Sequence, residues 1–176
     1  MEFPTVPQNT SNKLNRAEYS NTSPLSNLAI VGRLDLLKQR YGTVRIPPAV
    51  ARELSALSHP GGRTRIPAAL AHGWLVVESP PASPLALPFP LDVGEAEAIA
   101  LALATNVDVL LMDEKRGREA ARHLGLTVAG ALGELLHARQ IGRVPELRSE
   151  IMRLRSEAGF FVDSKIEQFI LFQVGE

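Results

Sequence analysis

Gly94-Glu95-Ala96-Glu97-Ala98-Ile99-Ala100-Leu101-Ala102-Leu103-Ala104, followed by Val107-Asp108-Val109-Leu110-Leu111-Met112, is the stretch whose reading decides the fold. The first run consists almost wholly of strong helix formers, and the second is a continuous apolar segment of strand length. Glu114 to Leu124 then reads as a charged helix stopped by Gly125, and Leu126 to Ala129 as another strand. The rhythm is helix, strand, helix, strand. Uninterrupted apolar strands covered by crossover helices imply an α/β fold: a central, mostly parallel sheet of four or five strands, helices on both faces, right-handed connections.

Upstream, Leu25, Leu28, Ala29, Val31, Leu34 and Leu37 sit mostly three and four apart, predicting a helix from Pro24 to Tyr41 interrupted at Gly32, with Ser23 as N-cap and Pro24 at the first helical position. Thr43 to Ile46 reads as a strand. Pro47-Pro48 opens a helix with Val50, Leu54 and Leu57 inward, ended by the loop His59-Pro60-Gly61-Gly62. A short helix over Pro67 to Ala71 leads to the strand Trp74 to Val77. Five of the 13 prolines fall between Pro80 and Pro90, which predicts an extended connector. Three helices complete the chain: Gly130 to Gln140, Pro145 to Ala158 and Ser164 to Val174. Residues 1–18, polar and without sustained periodicity, read as a flexible leader, and 19–176 as one domain.

The 176 residues carry 19 Lys+Arg against 19 Asp+Glu, are 45% hydrophobic and contain no cysteine. Disulfide frameworks and Cys-type zinc sites are therefore excluded. No apolar run approaches the roughly 18 to 20 residues that span a bilayer, so the expectation is a cytoplasmic protein without membrane attachment. A net charge of zero argues against strong charge-driven nucleic-acid binding but leaves room for local basic patches.

Catalytic groups on an open α/β sheet gather outside the carboxyl ends of the strands. Asp113 directly follows the apolar run, with Glu114 beside it at a helix start. Either Asp113 does chemistry or it caps that helix. Glu53, Glu95 and Glu97 lie in or near first helical turns, where solvated acids are commonplace; brought together, they would suit a hard cation such as Mg²⁺ or Mn²⁺. Lys115, Arg116, Arg118 and Arg122 form either a solvated face or a receiver for phosphates. Gly130-Ala131-Leu132-Gly133 lacks any dinucleotide or P-loop pattern. His59, His72, His123 and His137 have no zinc-type spacing, and no Gly-x-Ser-x-Gly elbow occurs. Tyr41 and Trp74 read as core.

The string Ser20 to Ala29, with Ile46-Pro47-Pro48-Ala49-Val50-Ala51-Arg52-Glu53-Leu54, resembles the start of a PIN-domain protein. Gly94 to Ala102, Leu110 to Arg118 and Gly130 to Gly133 resemble a prokaryotic branch of that superfamily, related to VapC-type toxins. The blocks run in order from about Tyr19 to the end. The resemblance implies a PIN-like α/β/α sandwich with additional C-terminal helices, a Mg²⁺- or Mn²⁺-dependent ribonuclease and a small antitoxin partner. Transferred residue by residue, the family's acidic quartet falls at Asn21, Glu53, Glu95 and Asp113, with Glu97 and Glu114 as neighbouring alternatives. Thr22 or Ser23 would add a hydroxyl near the metal, and Lys115, Arg116 and Arg118 would meet RNA. The implied chemistry is in-line attack of an activated water on a phosphodiester.

Two departures stand out. Asn21 brings an amide where the family has its first acid, and a unit charge interaction over ~4 Å is worth about 4 kcal/mol at an effective dielectric of ~20. The expected first strand, Leu14 to Tyr19, is poorly apolar. Two functions follow: a metal-dependent endoribonuclease with Glu53, Glu95 and Asp113 as catalytic ligands, or a non-cleaving module that binds RNA or an antitoxin. Phe160-Phe161 and Phe169-Ile170-Leu171-Phe172 either finish the core or line a homodimer or antitoxin interface.

Overall fold

The computed structural model describes residues 18–81, 90–105 and 107–176. Its strands are β1 Glu18–Ser20, β2 Val44–Ile46, β3 Leu75–Val77, β4 Leu110–Leu111 and β5 Val128–Ala129. They form one all-parallel sheet in the order β3-β2-β1-β4-β5. The helices are α1 Thr22–Ile30, α2 Asp35–Tyr41, α3 Pro48–Ser55, α4 Pro60–Ala71, α5 Val93–Thr105, α6 Lys115–His123, α7 Ala131–Gln140, α8 Leu147–Ala158 and α9 Ser164–Gln173. The expected α/β/α architecture with extra C-terminal helices is the one observed.

Two cores follow from strand alternation, since successive side chains leave a strand on opposite faces. Tyr19, Leu110 and Met112 point to one face and pack with Ala98, Ile99, Ala102, Ala120 and Ala121 of α5 and α6. Leu111 points to the other, into a larger cluster built from α1, α2, α3, α4, α7, α8 and α9 with β2 and β3. Because β1 lies between β2 and β4, the direction of strand addition reverses at β1, and the crevice this creates opens beyond the carboxyl ends of β1 and β4. The ladder reaches the floor of that crevice: Asn21 N donates to Leu111 O at 2.9 Å and Met112 N to Ala129 O at 2.8 Å.

The first strand corrects two expectations. Glu18 belongs to β1 and not to a leader, and β1 is central and wholly buried despite its polarity. Its polar groups are satisfied locally: Glu18 Oε2 accepts from Val109 N at 2.7 Å, Tyr19 Oη donates to Glu78 at 2.9 Å, and Ser20 Oγ donates to Asn21 O at 2.8 Å. Burial still leaves its mark, pushing the Glu18 carboxyl up to about 7, with Asp108 and Glu134 adding to the rise. The rest of the expected leader, residues 1–17, and most of the proline-rich connector, residues 82–89, lie outside the described residues.

At α1 the N-cap is Asn21, not Ser23, and Pro24 is the third helical residue, not the first. Gly32, at φ 72°, makes the break before α2. Around His59 the expected loop is instead the start of α4, where the His59 side chain accepts from Gly61 N and Pro60 occupies the first turn. The two glycines are there for packing: a Cβ on Gly61 would lie 2.9 Å from Ala29 O, and one on Gly62 2.9 Å from Leu57. Of the C-terminal aromatic stretch, Ile170 and Leu171 are buried and Phe160 packs on the core, whereas Phe161 and Phe172 are both 85% exposed. No helix among the described residues is long and apolar enough to cross a membrane.

Candidate functional site

Asn21 leaves β1 at the crevice floor and is 2% exposed. Its Nδ2 donates to Glu114 Oε2 at 3.1 Å, which fixes the amide's orientation because a carboxylate only accepts. The other end, Oδ1, is buried with no hydrogen-bond partner. A buried acceptor left empty is costly, on the order of 1–3 kcal/mol. The next two residues, in the first turn of α1, turn their hydroxyls onto acids: Thr22 Oγ1 donates to Glu53, and Ser23 Oγ donates to Glu114.

Glu53 reaches the same space from α3. Gly94, at the start of α5, makes room for it: a Cβ there would sit 3.0 Å from Glu53 Oε1 and 3.3 Å from Asn21 Oδ1. Glu95, one residue on, is 6% exposed. It forms a reciprocal cap with Asp92, accepting from Asp92 N at 3.1 Å while its own N donates to Asp92 Oδ1 at 2.7 Å. Its Oε1 lies toward α6, 2.8 Å from where a Cβ on Gly117 would stand. Burial raises the Glu95 pKa, and the charges of Asp92 and Glu114 push it the same way. Glu97 points elsewhere and accepts from Ala49 N at 3.0 Å, serving the start of α3.

The adjacent acids after β4 part company. Glu114 faces Asn21 and Ser23. Asp113 turns into the protein, where Oδ2 accepts from Asn27 Nδ2 at 2.9 Å and Oδ1 from Ala131 N at 2.8 Å. Burial pushes the Asp113 carboxyl up to about 6 in spite of those two donors. Arg118 also turns inward, its Nη1 donating to Met112 O at 3.1 Å, and burial lowers its pKa. Of Arg118, which the resemblance offers as an RNA contact, one nitrogen of the fork is thus engaged at the end of β4. Lys115 and Arg116 are exposed, Lys115 standing 4.0 Å from Glu119.

Among the described residues, Glu53, Glu95, Asp113 and Glu114 have no Lys or Arg partner at ion-pair distance, whereas Glu78, Glu134, Glu150, Glu157, Glu167 and Glu176 each do. The crevice is thus negatively charged and lined by hard oxygen donors, with one neutral oxygen, Asn21 Oδ1, lacking a partner. That donor set fits Mg²⁺ or Mn²⁺ better than any soft metal. No three Asp, Glu or His side chains among the described residues stand close enough to form a cation site ready-made. Hydroxyl and amide donors hold Glu53 and Glu114 in place.

Two participants escaped the sequence reading. Asn27, buried at 9% exposure, sits between Leu25, Leu28 and Ala29 on the apolar side of α1, and a polar residue in that position is the signal that marks it. Gly130 is the second, because a Cβ there would run into Asp113 Oδ1 and come within 2.7 Å of Arg118 Nη1.

A family model described as a PIN domain matches residues 19–176. No curated protein matches the chain.

Proposed function

Because the chain belongs to the PIN-domain family, whose fold is of nuclease type, we propose that its acidic crevice hydrolyses RNA phosphodiester bonds with Mg²⁺ or Mn²⁺. The observation that carries this reading is the set of crevice acids left without cationic partners around an unpartnered amide oxygen. Asn21 Oδ1, Glu53, Glu95 and Glu114 would hold the cation. When bound, the ion supplies Lewis-acid stabilisation of phosphate oxygens and eases deprotonation of the attacking water. Thr22 and Ser23 orient the carboxylates of Glu53 and Glu114, and the Asp92 cap fixes Glu95. Lys115 and Arg116, on the exposed side of α6, receive the RNA backbone.

The resemblance of Gly94 to Ala102 and Leu110 to Arg118 to VapC-type proteins supports a toxin role, neutralised by a small antitoxin. Exposed Phe161 and Phe172 suit such a partner or a second copy of the chain. Incubation of purified protein with structured and unstructured RNA plus Mn²⁺ tests the catalytic reading. Mn²⁺-dependent cleavage that Glu114→Gln abolishes supports it; binding without cleavage contradicts it.

One observation favours a second reading, a PIN-fold module that binds without cutting. Asn21 Nδ2 already satisfies Glu114 in the crevice, with no charge brought in. On that reading, Asn21→Asp creates cleavage that the wild type lacks.

A further inference from the structure

The two neighbouring acids after β4 are bonded so differently that they cannot share one task. Glu114 meets groups that line the crevice. Asp113 has one oxygen on α1, through Asn27 Nδ2, and the other on the first residue of α7, through Ala131 N. Gly130 closes over it, leaving no room for a side chain between Asp113 and Arg118. One carboxylate therefore joins the end of β4 to the second half of α1 and to the start of α7. Asn27 follows Asn21 by six positions, less than two turns of α1, so whatever fixes Asn27 fixes the direction in which Asn21, Thr22 and Ser23 leave β1.

We propose that Asp113 is a positioning residue that pins α1 to the end of β4, and that it acts on the crevice through Asn27 and not as a cation ligand. The proposal rests on the nuclease reading for its effect on activity, and on geometry alone for the pin. Both oxygens accept from donors on α1 and α7, whereas the hydroxyl of Ser23 and the amide of Asn21 at the crevice bond Glu114 instead. Asparagine keeps the pin: Oδ1 still accepts from Ala131 N, and Nδ2 bonds Asn27 once that amide turns its oxygen around. A ligand lacks this tolerance, since replacing an anionic oxygen by an amide removes its charge.

The test uses full-length wild type, Asp113→Asn, Asp113→Ala, Asn27→Ala, the Asn27→Ala/Asp113→Ala pair and Glu114→Gln. Three measurements are made on each: urea stability without metal, the Mn²⁺ concentration for half-maximal cleavage, and the cleavage rate. Asp113→Asn is expected to stay within about 10-fold of wild type in rate with an unchanged Mn²⁺ midpoint, while Glu114→Gln loses on the order of 100-fold and shifts the midpoint upward. Asn27→Ala reproduces the loss seen in Asp113→Ala, and the double variant loses no more than the larger single loss, in rate and in stability alike. The proposal is overturned if Asp113→Asn falls as far as Glu114→Gln with its stability intact, or if the Asn27 and Asp113 losses simply add. Should the wild type not cleave RNA, the nuclease reading fails, and the metal-free stability cycle still decides the pin.

Discussion

The molecule treats its acids in two opposite ways. On α7, Glu134 is almost wholly buried and fully answered: Arg40 Nη1 lies 3.0 Å from both carboxylate oxygens and Tyr41 Oη donates at 2.7 Å. On α8, the buried Glu150 has Arg33 at 2.6 Å. At the carboxyl ends of β1 and β4, Glu53 and Glu114 receive only hydroxyls and one amide. A charge neutralised inside the protein belongs to the scaffold. A cluster whose charges stay unbalanced costs folding energy, and it invites a cation from outside.

The largest expected effect breaks the scaffold side of that contrast. Glu134→Ala leaves Arg40 and Tyr41 facing a gap, and the loss should be about 3–5 kcal/mol in urea denaturation. The specific activity of the remaining folded protein should be unchanged. Glu114→Gln should do the reverse, costing on the order of 100-fold in Mn²⁺-dependent cleavage while stability holds or rises, because it removes a repelling charge.

Glu18 sharpens the contrast, since it is a buried acid on the scaffold with no cation of its own. Its carboxyl goes from 4.5 in the unfolded chain to about 7 in the fold. Between those values the folded state keeps a proton that the unfolded state has released, so the stability linked to this group is full below pH 4.5 and lost as pH rises through 7. Glu18→Gln, which stays neutral, should therefore match the wild type near pH 4 and exceed it near pH 8 by on the order of 2–3 kcal/mol. Equal melting curves at pH 8 would remove Glu18 from the account. The smallest effect expected is for Asn21→Asp, which adds one charge at the crevice floor beside Glu114 and should tighten Mn²⁺ binding by about 10-fold.

Much of the architecture was legible because it is written in local runs. Val107 to Met112 announces a buried strand, and the Ala-rich α5 announces its covering helix. What failed were the places where tertiary contact overrides local character. Gly61 and Gly62 read as a loop because glycine usually marks one, but α4 needs them to approach α1 and Leu57. Glu18-Tyr19-Ser20 reads as a poor strand because the partners that satisfy it, Val109 N and Glu78, lie 91 and 59 residues away. The site shows the same division. Spacing brought Asp113 and Glu114 to the right strand end, yet successive residues leave a strand end in different directions, and only Asn27 and Ala131 reveal which one turns inward. No run of sequence announces Arg40 as the partner of Glu134.

The central claim is that the crevice acids are unbalanced until a divalent cation arrives, and Mn²⁺ binding followed by electron paramagnetic resonance tests it most directly. The wild type should bind Mn²⁺ saturably, Glu134→Gln should bind it equally well in its folded fraction, and Glu114→Gln should lose most of that affinity. Binding that is absent from the wild type, or indifferent to Glu114, would contradict the account.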